Sequence, residues 1–217
     1  MPPGLDVTGS RVAQLRWLAI KRRIFSALPM PLSVPTSPRA LRHTRSIEAQ
    51  AFQREDGLWD IDTHITDTKT RVADLASGAR PAGSPIHDLW LRITIDTSLN
   101  IVDAEAVSDA VPYPGHCNTI GPAYKKLIGL NLFRSFRREL KERLSGIEGC
   151  THLTELAGEL PTAAIQAFAG DVLPTRDGTA DDDSTHPPFQ IDRCHALRRD
   201  GPAVEKYYPR WFIKRGS

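Results

Sequence analysis

The chain is predicted to be an α+β protein, with an antiparallel sheet from its N-terminal half packed against helices from its C-terminal half. Two patterns predict this. Apolar residues alternate with a period of two from about residue 45 to 107, and they recur at helical spacing across 119–169. A third observation directs the search for chemistry: each of the three cysteines lies beside a histidine or two positions from one, as His116-Cys117, Cys150-Thr151-His152 and Cys194-His195.

The sheet comes first. Ile47, Ala49 and Ala51 alternate with Glu48 and Gln50, and Glu55-Asp56-Gly57 is a hairpin-type turn signal. Trp59, Ile61, Thr63 and Ile65 share the next alternating face. A Gly/Pro-rich break over 78–85 precedes the clearest strand, with Leu89, Leu91, Ile93 and Ile95 on one side and Trp90, Arg92 and Thr94 on the other. Asp96 to Asn100 turns the chain, and Val102, Ala104 and Ala106 return along a final strand. Short connections give a meander, which leaves one face wet. His64, Asp67, Lys69 and the pair His87-Asp88 read as ordinary polar residues at strand ends.

The helices follow. Gly121-Pro122 suits a helix start for Ala123 to Leu130. Asn131 is expected to cap a helix from Leu132 to Leu144, with Phe133, Phe136, Leu140 and Leu144 as its apolar stripe. The basic side chains of 132–144 read as a solvated surface relieved by Glu139 and Glu142. Thr151 can cap a third helix from His152 to about Ala169, and Pro161 predicts a kink or a break after Leu160. An acidic loop near 174–188 lacks the ligand spacing of a calcium loop. Phe189 and Ile191 suggest a short strand, and Tyr207, Tyr208, Trp211 and Phe212 should pack the C-terminus onto the body.

Two parts are expected: a basic, Pro-rich and partly disordered extension over 1–38, and one α+β domain over 39–217. The first 29 residues carry five basic side chains against Asp6 alone, so the net charge of +2 comes from this leader. That argues against nucleic acid as a partner. Met30 offers a second start just ahead of the domain. No apolar run approaches the length of a membrane span. Three cysteines without a secreted disulfide framework point to a reducing, cytoplasmic setting.

The cysteine–histidine pairs support three readings. Zinc takes four tetrahedral nitrogen or sulfur ligands, which Cys117, Cys150, His152 and Cys194 can supply, with His116 or His195 as substitutes; iron accepts similar ligands. A small-molecule ligand is expected near that cluster. Alternatively Cys150, beside a helix N-terminus that favours thiolate, is a metal-free nucleophile with His152 or His116 as base, although no third orienting residue is identifiable. The third reading is a non-enzymatic module that meets an acidic partner through the basic helix 132–144.

Several stretches carry a family resemblance: LWDIDTHITDTK, IHDLWLRITIDTSLNIVDAEA, PGHCNTIGPAYKKLIGLNL, GCTHLTEL and DRCHALRRDGPAVEKYYPRWF. From about Arg39 to Trp211 the chain resembles a bacterial family known as domain of unknown function 2889. The resemblance implies no activity. It does imply that Cys117, Cys150, His152, Cys194 and His195 all fall within recognisable stretches, which favours the metal reading.

Overall fold

The structure is a computed structural model that describes residues 32–175 and 185–214. Most of the extension expected over 1–38 and most of the acidic loop expected near 174–188 fall outside the described residues. Two compact units divide the chain, Met1–Ala40 and Leu41–Ser217. The described residues of the first are exposed and irregular. Among the described residues, all regular elements lie in the second.

Four strands form the main sheet: β1 (His43–Gln53), β2 (Trp59–Lys69), β5 (Pro85–Ile95) and β6 (Ile101–Ala110). Their order is β1-β2-β5-β6, every pair antiparallel. The predicted Gly/Pro-rich break holds more than a turn. Part of it pairs with the residues before it as a small hairpin, β3 (Ala73–Leu75) with β4 (Gly78–Arg80). Three-residue strands carry too few alternations to stand out in a sequence.

The period-two reading gives the correct inner face on β2 and β5, where Ile61, Ile65, Leu91, Ile93 and Ile95 are fully buried. It slips on β6. The ladder shifts by one between Thr94 and Ile95, so Ile101 faces Ile95 while Asp103 faces Thr94. This bulge turns Val102 outward and returns Ala104 to the core.

On the helical side, Gly121–Leu127 is a 3-10 helix that buries Tyr124 and Leu127. The first α-helix among the described residues, α1, spans Phe136–Leu144 and starts later than predicted. Asn131 does bond nearby amides, accepting from Phe133 N–H at 3.0 Å and Arg134 N–H at 3.1 Å. It caps a tight turn, however, and Ser135 with φ +55° interrupts the chain before the helix. Phe133 therefore leaves the stripe and is half exposed, while Phe136, Leu140 and Leu144 remain buried.

The long helix α2 (Thr151–Phe168) lies across β1, β2 and β5. Its Leu153, Leu156, Leu160, Ala164 and Phe168 are completely buried, and each Leu contributes about 2 kcal/mol relative to exposure. Pro161 lies inside α2 and does not end it. One lost hydrogen bond is outweighed by a buried stripe that continues on both sides of it. Trp59 and Phe168 meet with ring centroids 5.2 Å apart, joining the far end of α2 to the sheet. A short α3 (Pro202–Tyr207) follows near the C-terminus. No strand forms at Phe189–Ile191, which lies in turns, although Ile191 is buried.

Candidate functional site

The inner face of the sheet becomes polar at one end. Ile47, Ile65 and Leu89 face one another across three strands, and two residues further along the same face come Arg45, Asp67 and His87. Arg45 pairs directly with Asp67, and Asp67 with His87, so the three form a row at cross-strand contact distance. The ladder bulges immediately after Asp67. Asp67 is the one carboxylate among the buried described residues, 3% exposed.

This carboxylate is crowded with donors. Arg45 reaches it twice, through Nε to Oδ1 and Nη2 to Oδ2, both at 2.9 Å. His43 Nε2 lies 2.8 Å from Oδ1, and His87 Nδ1 lies 3.1 Å from Oδ2. Burial alone would raise the Asp67 pKa, but the Arg45 and His43 hydrogen bonds and nearby positive charge overcome it and lower it to about 2.

The start of α2 descends onto this row. His152 places Nε2 3.6 Å from Asp67 Oδ2 and stacks on His87, with ring centroids 3.7 Å apart. One turn further, Glu155 accepts from Arg45 Nη1 at 2.6 Å. Burial, together with the His152 charge, pushes the His87 imidazole below its ordinary pKa, so its neutral form is favoured.

On its other side His152 meets a thiol. Its Nδ1 is 4.0 Å from Cys150 Sγ, the outer limit for a sulfur hydrogen bond. Cys150 is the residue before the first turn of α2, with extended φ and ψ, and its carbonyl accepts from Thr154 N–H at 2.8 Å. Burial pushes the thiol up, but His152 and the N–H groups of Leu153 and His152 outweigh it, so the thiol ionises more readily than usual.

Two features hold Cys150 in place. The buried Tyr124 hydroxyl accepts from Cys150 N–H at 3.1 Å and lies 2.8 Å from both the Cys150 carbonyl and the Thr154 hydroxyl. Before it, Gly149 packs so closely on Leu144 that a Cβ would strike the Leu144 carbonyl oxygen. Beyond the thiol opens a cavity of 590 Å³ lined by Tyr113, His116, Cys117, Thr119, Ile120, Gly149 and Cys150.

The residues expected from sequence are thus divided. Cys150 and His152 are neighbours, and Cys117 and His116 share the cavity with Cys150. Cys194 and His195 are exposed in the turns before α3. All three cysteines are free thiols. Among the described residues, the group whose ligand atoms lie within 4.8 Å of one another is Asp67, His87 and His152.

Asp67 and His87, which the sequence reads as ordinary polar residues at strand ends, both belong to this row. Their signal was present. Continuing the alternation Trp59, Ile61, Thr63, Ile65 by one step reaches Asp67, and counting back from Ile95 through Leu89 reaches His87.

The basic residues of α1 behave as a solvated surface, with Arg143 paired to Glu139 at 3.2 Å and Arg138 to Glu142 at 3.7 Å. Among the described residues, no helix is long and apolar enough to cross a membrane.

No curated protein matches the chain, and no solved structure does. Over residues 43–166, which hold β1 to β6 and most of α2, it matches the family described as protein of unknown function (DUF2889). That stretch includes Asp67, His87, Cys150 and His152 and exceeds half of the sequence, so the chain belongs to the DUF2889 family.

Proposed function

We propose that Cys150, His152 and Asp67 form a nucleophilic thiol site that transfers acyl groups from esters or thioesters to water. One observation carries this reading: the His152 ring has one nitrogen turned to the Cys150 sulfur and the other to the Asp67 carboxylate. Nucleophile, base and orienting carboxylate are the three parts that such chemistry needs. The start of α2 adds N–H groups and a positive dipole end at the sulfur.

The steps balance within these groups. His152 Nδ1 takes the thiol proton, and the sulfur adds to the acyl carbon. His152 returns the proton to the departing alcohol or thiol, leaving a Cys150 thioester. Water then gives a proton to Nδ1 and its oxygen to the acyl carbon, releasing a carboxylic acid and the restored thiol. Asp67 keeps the Nε2–H tautomer and stabilises the imidazolium; Arg45 and His43 keep Asp67 ionised and fixed.

Alkylation with iodoacetamide, read residue by residue by mass spectrometry, tests this. Cys150 should react about tenfold faster than Cys117 or Cys194 at neutral pH, and His152→Gln should remove most of that advantage. A burst of p-nitrophenol from p-nitrophenyl acetate should disappear in Cys150→Ser. Equal reactivity of all three thiols, unchanged by His152→Gln, would overturn the reading.

A second reading is supported by the proximity of Asp67, His87 and His152. Two imidazoles and a carboxylate are the donor set of a catalytic zinc or a non-haem iron(II) centre. This reading keeps His152 from the ligand set expected from sequence and exchanges the cysteines for Asp67 and His87. It stands second because the Arg45 guanidinium already binds both oxygens of the same carboxylate. Near one equivalent of zinc or iron, lost in His87→Ala and retained in Cys117→Ser and Cys194→Ser, would establish it over the thiol site.

A further inference from the structure

We infer that the acyl group taken by Cys150 is uncharged and apolar, of the size of an aryl or short branched alkyl group; this rests on Cys150 being the nucleophile. The 590 Å³ cavity beside the sulfur is large enough for a small organic molecule and opens to solvent past the exposed Tyr113, His116 and Thr119. Among the described residues its wall carries no carboxylate, lysine or arginine. Ile120 and the Tyr113 ring supply apolar surface, and His116 is its one basic side chain.

Other cavities among the described residues differ in this respect. A 260 Å³ hollow on the outer face of the sheet holds Asp62, Arg92 and Glu105, and a 280 Å³ hollow at α1 holds Arg137 and Arg138. Only the cavity with the reactive thiol, of these three, lacks formally charged walls. A carboxylate or ammonium seated there meets no lysine, arginine or carboxylate and only the His116 imidazole, whereas an aryl group packs on Ile120 and the Tyr113 ring. Selection therefore comes from desolvation, with the acyl carbon presented to a sulfur at the cavity edge.

Chloroacetamides test this, because the reactive end stays constant while the tail changes. Three probes are compared at Cys150 by mass spectrometry: the N-benzyl, N-(4-carboxybenzyl) and N-(2-trimethylammonioethyl) compounds, each rate divided by its rate with free cysteine. The benzyl probe should label Cys150 about tenfold faster than either charged one, the ratio expected for one unpaired charge. Thr119→Lys, a change at an exposed wall position, should raise labelling by the carboxybenzyl probe about fivefold, by supplying the missing countercharge. Each Thr119→Lys rate is divided by that variant's own iodoacetamide rate at Cys150, so that a change in the thiol is separated from a change in the cavity wall.

Equal normalised rates for neutral and charged probes would overturn the inference, as would a charged probe that reacts faster. Loss of Cys150's advantage with iodoacetamide itself is a different result, because it removes the nucleophile and not the selectivity.

Discussion

Arg45 grips Asp67 side on, with Nε and Nη2 each 2.9 Å from a different carboxylate oxygen, across neighbouring strands. The grip explains how a carboxylate that is 3% exposed stays ionised at the end of an apolar sheet face. Removing the guanidinium leaves a buried negative charge with imidazole partners only. Arg45→Met is expected to cost about 1–3 kcal/mol, discounted because the arginine is itself partly exposed. Urea unfolding checks it, and Arg45→Met with Asp67→Asn should recover part of the loss.

Acid should act through the same carboxylate. The folded pKa of Asp67 is about 2, against an ordinary 3.8. Because it is depressed, its contribution is complete above the unfolded value and disappears as pH falls from about 4 through 2. About 2 kcal/mol is involved. Stability measured between pH 5 and 2 should fall less steeply in Asp67→Asn than in the parent; parallel curves would contradict the assignment.

The thiol gives a second pH prediction, this time kinetic. Cys150 ionises below its ordinary value of 9.0, with His152 the main favourable cause. The pH at half-maximal alkylation of Cys150 should therefore lie below 9.0, and His152→Gln should move it upward in a rate-against-pH series.

Tyr124→Phe removes one oxygen from the buried contacts that fix Cys150. The Cys150 N–H then loses its acceptor, which costs about 1–2 kcal/mol. Thermal unfolding should register this, together with a change in the Cys150 alkylation rate and none in that of Cys194.

Gly149→Ala tests the close approach before the thiol. The added methyl group meets the Leu144 carbonyl, a backbone atom that can yield only if α1 or the start of α2 moves. A loss of about 2 kcal/mol or more is expected, with slowed Cys150 alkylation. An unchanged unfolding midpoint would show that the junction is loose.

Much of the fold was legible from local pattern. Alternation marked β1, β2 and β5, and the helical spacing of Leu153, Leu156, Leu160 and Ala164 marked α2, because side-chain direction repeats with a fixed period in each element. What failed were breaks in the period. The bulge near Thr94 reversed Val102, and the turn through Ser135 delayed α1. Both depend on pairing and packing with partners distant in sequence.

The candidate site divides in the same way. Cys150 and His152 are two residues apart, so their adjacency at a helix start followed from the chain alone. Asp67 lies on another element, and only strand register and the descent of α2 set its carboxylate beside the far nitrogen of His152. The sequence by itself determined the strands, the long helix and the thiol–imidazole pair, through patterns that repeat within a few residues. The tertiary structure decided which acid lies beside the pair and which cavity the thiol borders. Those choices rest on long-range packing, which no local spacing encodes.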